Sequence, residues 1–341
     1  MRKVNLKDLA LELGVSISTV SKALRDSYEI GDITQKKIID VAKKMGYSPN
    51  PYAGFLRNHK SKTIAIIAPE LNNNFFIQAI SGAEAIAQDK DYHILVYSTH
   101  ENYEKEKSIL HHLQNGRVDG VIMSIASTTK DFTHINELIQ SGIPIIFFDR
   151  ICHEIETIKI TTDDFVGALN ATEHLIQNGC KRIAYLSISD SLSIDYKRKQ
   201  GYLEALNKYH LQETSVCIVQ CTEDDKNNLK KIKQLLLSDK KIDGIFASVE
   251  KLALTTYHAC SELDITIPEQ VKVICFSNLA TSSLLQPTLS TVTQPAFEMG
   301  KQAAKILFNY LEKKKKNIPN EHIVLKSQLI KRDSSQKTQS L

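Results

Sequence analysis

The residues best suited to recognise another molecule lie near the start of the chain, in LKDLALELGVSISTVSKAL from Leu6 to Leu24. Spacing predicts that Ile17, Ser18, Ser21 and Lys22 project from one side of a short helix whose other side is apolar. A serine hydroxyl can hydrogen-bond to base edges, an isoleucine can meet a thymine methyl, and a lysine can donate to guanine or phosphate. We therefore predict that this helix enters the major groove of DNA.

Two capped helices would position these side chains. Asn5 is the N-cap of the first helix, with Asp8 placed to complete a capping box. Gly14 supplies the backbone freedom that a sharp turn needs, and Ser16 caps the second helix. Two short helices joined in this way form a helix-turn-helix. On this stretch alone, an ordinary helical hairpin in a protein core remains an alternative.

A third helix, capped at Thr34 and ended by Gly46, would complete a small core. The following Tyr47-Ser48-Pro49-Asn50-Pro51 has the features of an extended connector that starts another helix, over 52–57. That helix is too short to be stable alone. We predict a DNA-binding domain over 1–48, a hinge helix and linker over 49–61, and a body over 62–335.

The charge of the chain is unevenly placed. Residues 1–60 hold 11 Lys and Arg against 6 Asp and Glu, whereas the rest holds 32 against 33. A basic head on a nearly neutral body is the electrostatic pattern of a DNA-binding module attached to another domain.

From Lys62 onward, apolar runs of strand length alternate with amphipathic helical stretches, which predicts parallel sheets covered by helices. Three runs recur in the same order at similar spacings. VDGVIMS from Val118 returns as IDGIFAS from Ile242, and KTIAIIAPE is echoed by KRIAYLSIS from Lys181. IPIIFFDR from Ile143 is echoed by VKVICFSN. We predict two similar α/β lobes.

Composition and motifs exclude several classes of protein. No apolar run approaches the ~20 residues of a membrane span, and the basic N-terminus is not followed by the apolar stretch of a signal peptide. We expect a cytoplasmic protein. The six cysteines are scattered without a metal-binding pattern, so we expect reduced structural thiols. The sequence contains no GxSxG, GxxxxGK[ST], HExxH or GxGxxG motif, and we predict no enzyme activity, metal or cofactor.

The chain resembles the lac repressor/galactose repressor (LacI/GalR) family of bacterial transcription regulators over nearly its whole length. The head VNLKDLALELGVSISTVSKAL and the segment GYSPNPYAGFLR carry the resemblance most specifically, and RVDGVI, GIPIIFFDR and LSTVTQP agree in the body. The resemblance implies an all-α helix-turn-helix head on a periplasmic-binding-protein-like body of two doubly wound parallel-sheet lobes. It also implies a homodimer.

The resemblance assigns roles in DNA binding. Ile17, Ser18 and Lys22 match recognition-helix positions, and Ala53 and Leu56 match hinge-helix positions that enter the minor groove, where Leu56 would act as an apolar wedge. At the Lys22 position the family commonly has Arg, which puts the usual bidentate contact in question. The complete set predicted to bind DNA is Leu6, Ser16, Ile17, Ser18, Thr19, Ser21, Lys22, Asn50, Ala53 and Leu56.

The resemblance also implies a small-molecule effector site between the lobes. The positions that match are Asn73, Phe75, Phe76, Asp149, Arg150, Asp163, Arg198 and Ser277. The family often has an Asp preceded by an aromatic residue where this chain has Phe276-Ser277. Ser277 lacks the carboxylate that binds sugar hydroxyls, so the effector differs or another residue binds it.

These observations predict a dimeric, effector-responsive DNA-binding regulator, a repressor by resemblance, that controls carbohydrate genes. It would bind a pseudo-palindromic double-stranded operator and a sugar or sugar derivative. The alternatives are a solute-sensing periplasmic-binding-like module and a carbohydrate-processing protein. The first would need an export signal and no DNA-binding head, and the second would need a catalytic dyad.

Overall fold

A computed structural model describes residues 4–24, 29–47, 61–114, 116–189, 192–211, 216–222, 224–239, 241–313 and 319–336. The chain divides into two compact units, residues 1–61 and 62–341, called here the head and the body. Most of the predicted hinge, including Asn50, Ala53 and Leu56, lies outside the described residues.

The head contains three described helices: α1 (Leu6–Leu13), α2 (Ile17–Ala23) and α3 (Asp32–Lys44). The predicted capping box is present, because the Asn5 side chain accepts from the Asp8 amide at 3.1 Å and the Asp8 carboxylate accepts from the Asn5 amide at 3.0 Å. Gly14 ends α1 with a φ of 64°, in the left-handed region that favours glycine. The helices bury one small core, made of Leu9, Ala10, Val20, Ala23, Ile38 and Ala42.

The third helix begins earlier than the sequence predicts. Gly31, with extended backbone, is its N-cap, and the Gly31 carbonyl accepts the first helical hydrogen bond from Gln35 at 3.0 Å. Thr34 therefore lies inside the first turn and does not cap the helix. Asp32 in that first turn is favourable to the positive end of the helix dipole.

The body contains two six-stranded sheets, as the repeat predicts. The first has the order β11-β5-β4-β3-β1-β2 and is parallel throughout. The second has the order β12-β10-β9-β8-β6-β7, and only its edge strand β12 is antiparallel. The strands are β1 (Thr63–Ala68), β2 (His93–Ser98), β3 (Gly120–Met123), β4 (Ile145–Phe148), β5 (Lys159–Thr162), β6 (Ile183–Ser187), β7 (Cys217–Gln220), β8 (Gly244–Ala247), β9 (Lys272–Phe276), β10 (Ser290–Thr293), β11 (His322–Leu325) and β12 (Gln328–Ile330).

The three recurring sequence runs occupy equivalent places in the two sheets. They form β1 and β6, β3 and β8, and β4 and β9, in the same order within each sheet. The predicted architecture of two similar doubly wound lobes is therefore confirmed. We call the two lobes the first lobe and the second lobe.

Helices cover both faces of each sheet, so the strands are almost continuously apolar. In the first lobe, α4 and α11 cover one face, and α5 and α6 cover the other. In the second lobe, α7 and α8 cover one face, and α9 and α10 the other. These helices are α4 (Asn74–Asp89), α5 (Tyr103–Leu113), α6 (Thr133–Gln140), α7 (Asp164–Gln177), α8 (Ser193–Lys208), α9 (Asp225–Leu236), α10 (Glu250–Glu262) and α11 (Ala296–Lys313).

The backbones of helices α4 and α11 come into close contact at Gly300. A Cβ on Gly300 would lie 1.8 Å from the Ala79 carbonyl oxygen, which is closer than any real contact. Only glycine lets the two backbones come so close. This contact holds α11, which follows a strand of the second lobe, firmly in the first lobe.

Three described segments pass between the lobes. They connect β5 to α7, β10 to α11, and β11 to β12. The first and second are joined by the side-chain amide of Gln294, which donates to the Thr162 hydroxyl at 2.9 Å. The contacts of polar side chains near these segments therefore depend on the relative position of the two lobes.

All six cysteines are buried with free thiols, and burial raises the pKa of Cys221 and Cys260 to about 11. Such thiols are structural and unreactive at neutral pH. Over the described part of the chain, no helix combines the length and apolar character that crossing a membrane requires.

Candidate functional site

The N-terminus of α2 displays the side chains predicted to read DNA. The Ser16 hydroxyl accepts from the Thr19 amide at 3.0 Å and shares a 2.9 Å hydrogen bond with the Thr19 hydroxyl, so this pair caps the helix. Ile17 and Ser18 are exposed beside the cap, with Ile17 47% accessible. An exposed isoleucine on a small polar head is suited to contact with a thymine methyl.

The other predicted DNA-binding residues of the head are partly engaged within it. Leu6 is half-buried and packs against the head core. Ser21 and Lys22 are also half-buried, and the Lys22 ammonium forms an ion pair with Glu29. The ammonium group predicted to bind DNA thus already has a carboxylate partner within the head.

In the body, seven of the eight predicted effector residues line one cleft between the lobes. They are joined there by residues from the carboxyl ends of second-lobe strands, where open α/β sheets bind ligands. The lining is Asn73, Phe75, Phe76, Asp149, Arg150, Ile194, Arg198, Val249, Glu250, Phe276, Ser277, Asn278 and Gln294.

Arg198 is the central cation of the second-lobe wall. It is only 3% exposed, its Nε donates to Asp164 at 2.7 Å, and its Nη1 donates to the Ser248 carbonyl at 2.6 Å. The guanidinium lies 3.8 Å from the centre of the Phe276 ring. Arg198 stands in the second turn of α8, which starts at Ser193.

Asp149 and Arg150 form the opposing wall, at the end of β4. Asp149 adopts a φ of 59° and is 5% exposed. Burial raises the pKa of Asp149 to about 6, even though Arg150 and Arg198 both favour its ionised form. Arg150 donates to Glu101 at 2.5 Å, and this arginine lowers the pKa of Glu101 against the effect of burial. The cleft thus presents a buried carboxylate between two cations.

The aromatic floor of the cleft comes from the start of α4. Asn73 caps this helix by accepting from the Phe75 amide at 3.0 Å, which fixes the two phenylalanines that follow. The rings of Phe75 and Phe76 meet edge to face with centroids 5.2 Å apart. Aromatic side chains beside convergent polar groups form the kind of lining that small-molecule sites use.

Ser277 has a carboxylate beside it after all. Its hydroxyl donates to the Glu250 carboxylate at 2.7 Å, and Glu250 also lines the cleft. The sequence prediction missed Glu250, although its place two residues after the repeat IDGIFAS could have indicated a strand end. It also missed Asn278 and Gln294, which exchange hydrogen bonds at 2.8 and 3.2 Å.

Asp163 lies apart from the other predicted effector residues. It immediately precedes α7, and its carboxylate accepts from the Ser327 amide at 2.7 Å and the Ser327 hydroxyl at 2.6 Å. Asp163 therefore joins the first and third segments that pass between the lobes, and it is absent from the cleft lining.

Comparison with known proteins agrees with both units. Residues 5–50 match the family model of bacterial regulatory proteins, lacI family, and residues 172–335 match that of a periplasmic binding protein-like domain. The HTH-type transcriptional regulator RegA of Clostridium saccharobutylicum is 31% identical over 333 residues, 97% of this chain and 99% of the relative. The chain belongs to the lacI family of bacterial regulatory proteins.

Two solved structures of this family illustrate the match. The lac repressor dimer bound to operator and the anti-inducer ONPF is 20% identical, with a TM-score of 0.85 over 98% of this chain and 100% of that chain. A lacI-family regulator from Enterococcus faecium with bound ribose is 26% identical, with a TM-score of 0.72 over 80% of this chain and 98% of that chain.

Membership of the lacI family makes the chain a DNA-binding transcription regulator and not an enzyme. The helix-turn-helix predicted from Leu6–Leu24 is thereby distinguished from an ordinary helical hairpin. The family assignment also favours a regulator over an exported solute-binding protein, because residues 5–50 carry the lacI-family head.

Proposed function

We propose that this lacI-family protein is a homodimeric repressor of carbohydrate genes whose affinity for a pseudo-palindromic operator changes when a sugar or sugar derivative binds between the lobes. Such a regulator works in the cytoplasm, where its DNA lies. The observation that carries the effector proposal is the convergence of Asp149, Arg150 and Arg198 beside aromatic rings in one interlobe cleft.

The chemistry of this cleft fits a polyhydroxylated ligand. A carboxylate accepts hydrogen bonds from hydroxyls, and a guanidinium presents a rigid fork that can span two neighbouring oxygens. Asp149 belongs to the first lobe and Arg198 to the second, so a ligand bound by both holds the lobes together. The ribose bound to the Enterococcus faecium regulator supports a sugar as the occupant.

The DNA-binding proposal rests on the head. The capped helix α2 carries Ile17, Ser18 and Lys22. The predicted hinge residues would add contacts in the minor groove of the operator, and they are Asn50, Ala53 and Leu56. In a dimer, two heads would read two half-sites related by a twofold axis. Lobe closure would alter the spacing of the heads and so shift the equilibrium between bound and free protein.

The proposal is tested by selecting sequences from random duplex DNA with the full-length protein, then titrating the best sequence with and without single sugars. We expect an enriched pseudo-palindrome, a steep fall of affinity with salt, and at least one sugar that changes affinity tenfold or more. Enrichment without twofold symmetry would contradict the dimeric repressor. Affinity unchanged across pentoses, hexoses, disaccharides and their phosphates would contradict the sugar effector.

A further inference from the structure

A second cavity lies beside the effector cleft. Its volume is about 510 Å³, and both lobes line it. The first lobe contributes residues from 125–132 and 150–154, and the second lobe contributes residues from 192–197 at the start of α8. This second cavity lies within the usual range of ligand pockets, about 300–1,000 Å³, whereas the effector cleft encloses only about 50 Å³. The two cavities together exceed what one sugar ring needs.

Arg150 is the side chain that the two cavities share. Its Nη1 is held by Glu101 at 2.5 Å, but its buried Nε has no hydrogen-bond partner among the described residues. The nearest acidic oxygen recorded for Nε, on Asp149, is 4.0 Å away. A buried N–H without a partner is costly, and an oxygen atom of a ligand that spans both cavities would satisfy it.

The wall of the second cavity has the composition of a sugar-binding surface. Phe132 from the first lobe and Tyr196 from the second provide aromatic surface, and Tyr196 is 58% exposed although it is large and apolar. Ser127 and Ser193 add hydroxyls, whereas the Thr129 hydroxyl already donates to Glu106 at 2.9 Å. Aromatic rings that present their faces beside scattered hydrogen-bonding groups suit a carbohydrate ring, which has apolar C–H faces and a polar edge.

The charges of this wall favour a neutral occupant. Lys197 and Glu154 both line it and have opposite charges, and Arg150 is paired with Glu101. Burial, together with the nearby Lys197 and Lys159, lowers the pKa of His153, so its imidazole is neutral at pH 7. The wall therefore has no excess positive charge with which to hold a phosphate.

We propose that this cavity is a second saccharide subsite and that the effector is a neutral oligosaccharide of at least two rings. The inference rests on the proposed function, because the first ring occupies the effector cleft. The second ring lies against Tyr196 and Phe132, and Arg150 donates from Nε to an oxygen near the glycosidic linkage. Since both lobes contact both rings, each added ring strengthens lobe closure.

The test is calorimetry of the full-length protein against neutral pentoses and hexoses, their α- and β-linked disaccharides, and the corresponding sugar phosphates. We expect one disaccharide to bind at least tenfold more tightly than either of its component monosaccharides. Tyr196→Ala is the diagnostic variant, because this exposed side chain can be removed without opening the core. It should weaken that disaccharide about tenfold and leave monosaccharide affinity within twofold.

Tyr209→Ala is the matched control, since Tyr209 directly follows the same helix at its opposite end, about 20 Å from Tyr196. It should change neither affinity. A monosaccharide that binds as tightly as every disaccharide, or a sugar phosphate that binds more tightly than all neutral sugars, would overturn the second subsite while leaving the sugar effector standing. Absence of binding by every sugar would instead overturn the proposed function.

Discussion

Asp163 and Ser327 are joined by two hydrogen bonds that tie together two of the segments passing between the lobes. The Asp163 amide also donates to the Leu325 carbonyl at 3.0 Å, so the same two segments are connected at three points. Asp163 thus bonds two of the segments that connect the lobes and lies outside the lining of the cleft.

We expect Asp163→Ala to lower the free energy of unfolding of the body by about 1.5–3 kcal/mol, the usual value of hydrogen bonds to a charged group. Ser327→Ala should have a smaller effect, and the double variant should show strong coupling between the two losses. Urea unfolding and sugar calorimetry on all three variants provide the measurements. If Asp163→Ala removes sugar binding whereas Ser327→Ala leaves it unchanged, Asp163 is a ligand contact, as its match to the family predicts.

The buried pair of Arg198 and Asp164 predicts a cost for removing either partner. Asp164 is 1% exposed, and its second carboxylate oxygen has no hydrogen-bond partner in the described part of the chain. Arg198→Ala would leave this carboxylate uncompensated and should destabilise the body by about 3–5 kcal/mol. Thermal unfolding would measure the loss.

Adding Asp164→Asn to Arg198→Ala separates stability from recognition. The double variant should recover much of the lost stability, because no buried charge remains, but it should not recover sugar binding. Recovery of sugar binding to the wild-type affinity would show that Arg198 serves only to neutralise Asp164.

The raised pKa of Asp149 predicts that the stability of the body depends on pH. Burial raises its pKa to about 6 from the ordinary 3.8, with Arg150, Arg198, Asp164 and Gln294 around it. The folded protein therefore keeps a proton that the unfolded chain has lost. The stabilising contribution is full below about pH 4 and disappears as pH rises through 6.

Asp149→Asn removes this titration, and Asn tolerates the positive φ of 59° at this position. At pH 7.5 the ligand-free variant should be more stable than wild type by about 1–3 kcal/mol, and at pH 4 the two should be equal. His174, whose pKa burial lowers to about 4, acts in the opposite sense, so the difference between the two proteins is the quantity to measure. Identical pH profiles would show that Asp149 ionises at its ordinary pKa.

The ion pair of Lys22 with Glu29 predicts a gain in operator affinity when Glu29 is neutralised. The Lys22 and Glu29 side chains are 41% and 47% exposed, so the pair contributes at most about 1 kcal/mol, or roughly fivefold in affinity. Glu29→Gln should tighten operator binding two- to fivefold at low salt in fluorescence anisotropy. Glu12→Gln, which neutralises an exposed acid of α1, should produce a smaller change. Equal changes would mean that only net charge matters.

The contact of Glu250 with Ser277 suggests that Glu250 supplies the carboxylate that the family often has at the Ser277 position. If Glu250 accepts from sugar hydroxyls, Glu250→Gln should weaken the best sugar about tenfold or more, since hydrogen bonds to a charged group contribute about 1.5–3 kcal/mol. Calorimetry should also show partial recovery in the double variant Glu250→Ser with Ser277→Asp, which moves the carboxylate by one hydrogen-bond length. Unchanged affinity in Glu250→Gln would remove Glu250 from the site.

The parts of the fold that were predictable are those specified by local sequence. The capping box at Asn5 and Asp8, the turn at Gly14 and the repeated strands each depend on neighbouring residues or on periodicity. Seven of the predicted effector residues share one cleft because they follow strands whose carboxyl ends meet at one edge.

The unpredicted parts depend on contacts between distant segments. Strands β11 and β12 contain only four and three residues, too few to show a periodic pattern, and they belong to different sheets. Without them, nothing in the sequence near Asp163 indicates a bond to Ser327. Likewise, the partnership of Glu250 with Ser277 requires that two strand ends come together, which no spacing in the chain reveals.

The position of α11 has a consequence for synthesis on the ribosome. Its residues Met299, Ala303 and Leu307 are fully buried in the first lobe, although they are made after nearly all of the second lobe. A nascent chain that has reached β10 still lacks one of the two helices that cover this face of the first sheet, whereas residues 4–47 already contain their whole core. We expect the head to fold early and the two lobes to become stable nearly together, once the last helix and strands emerge.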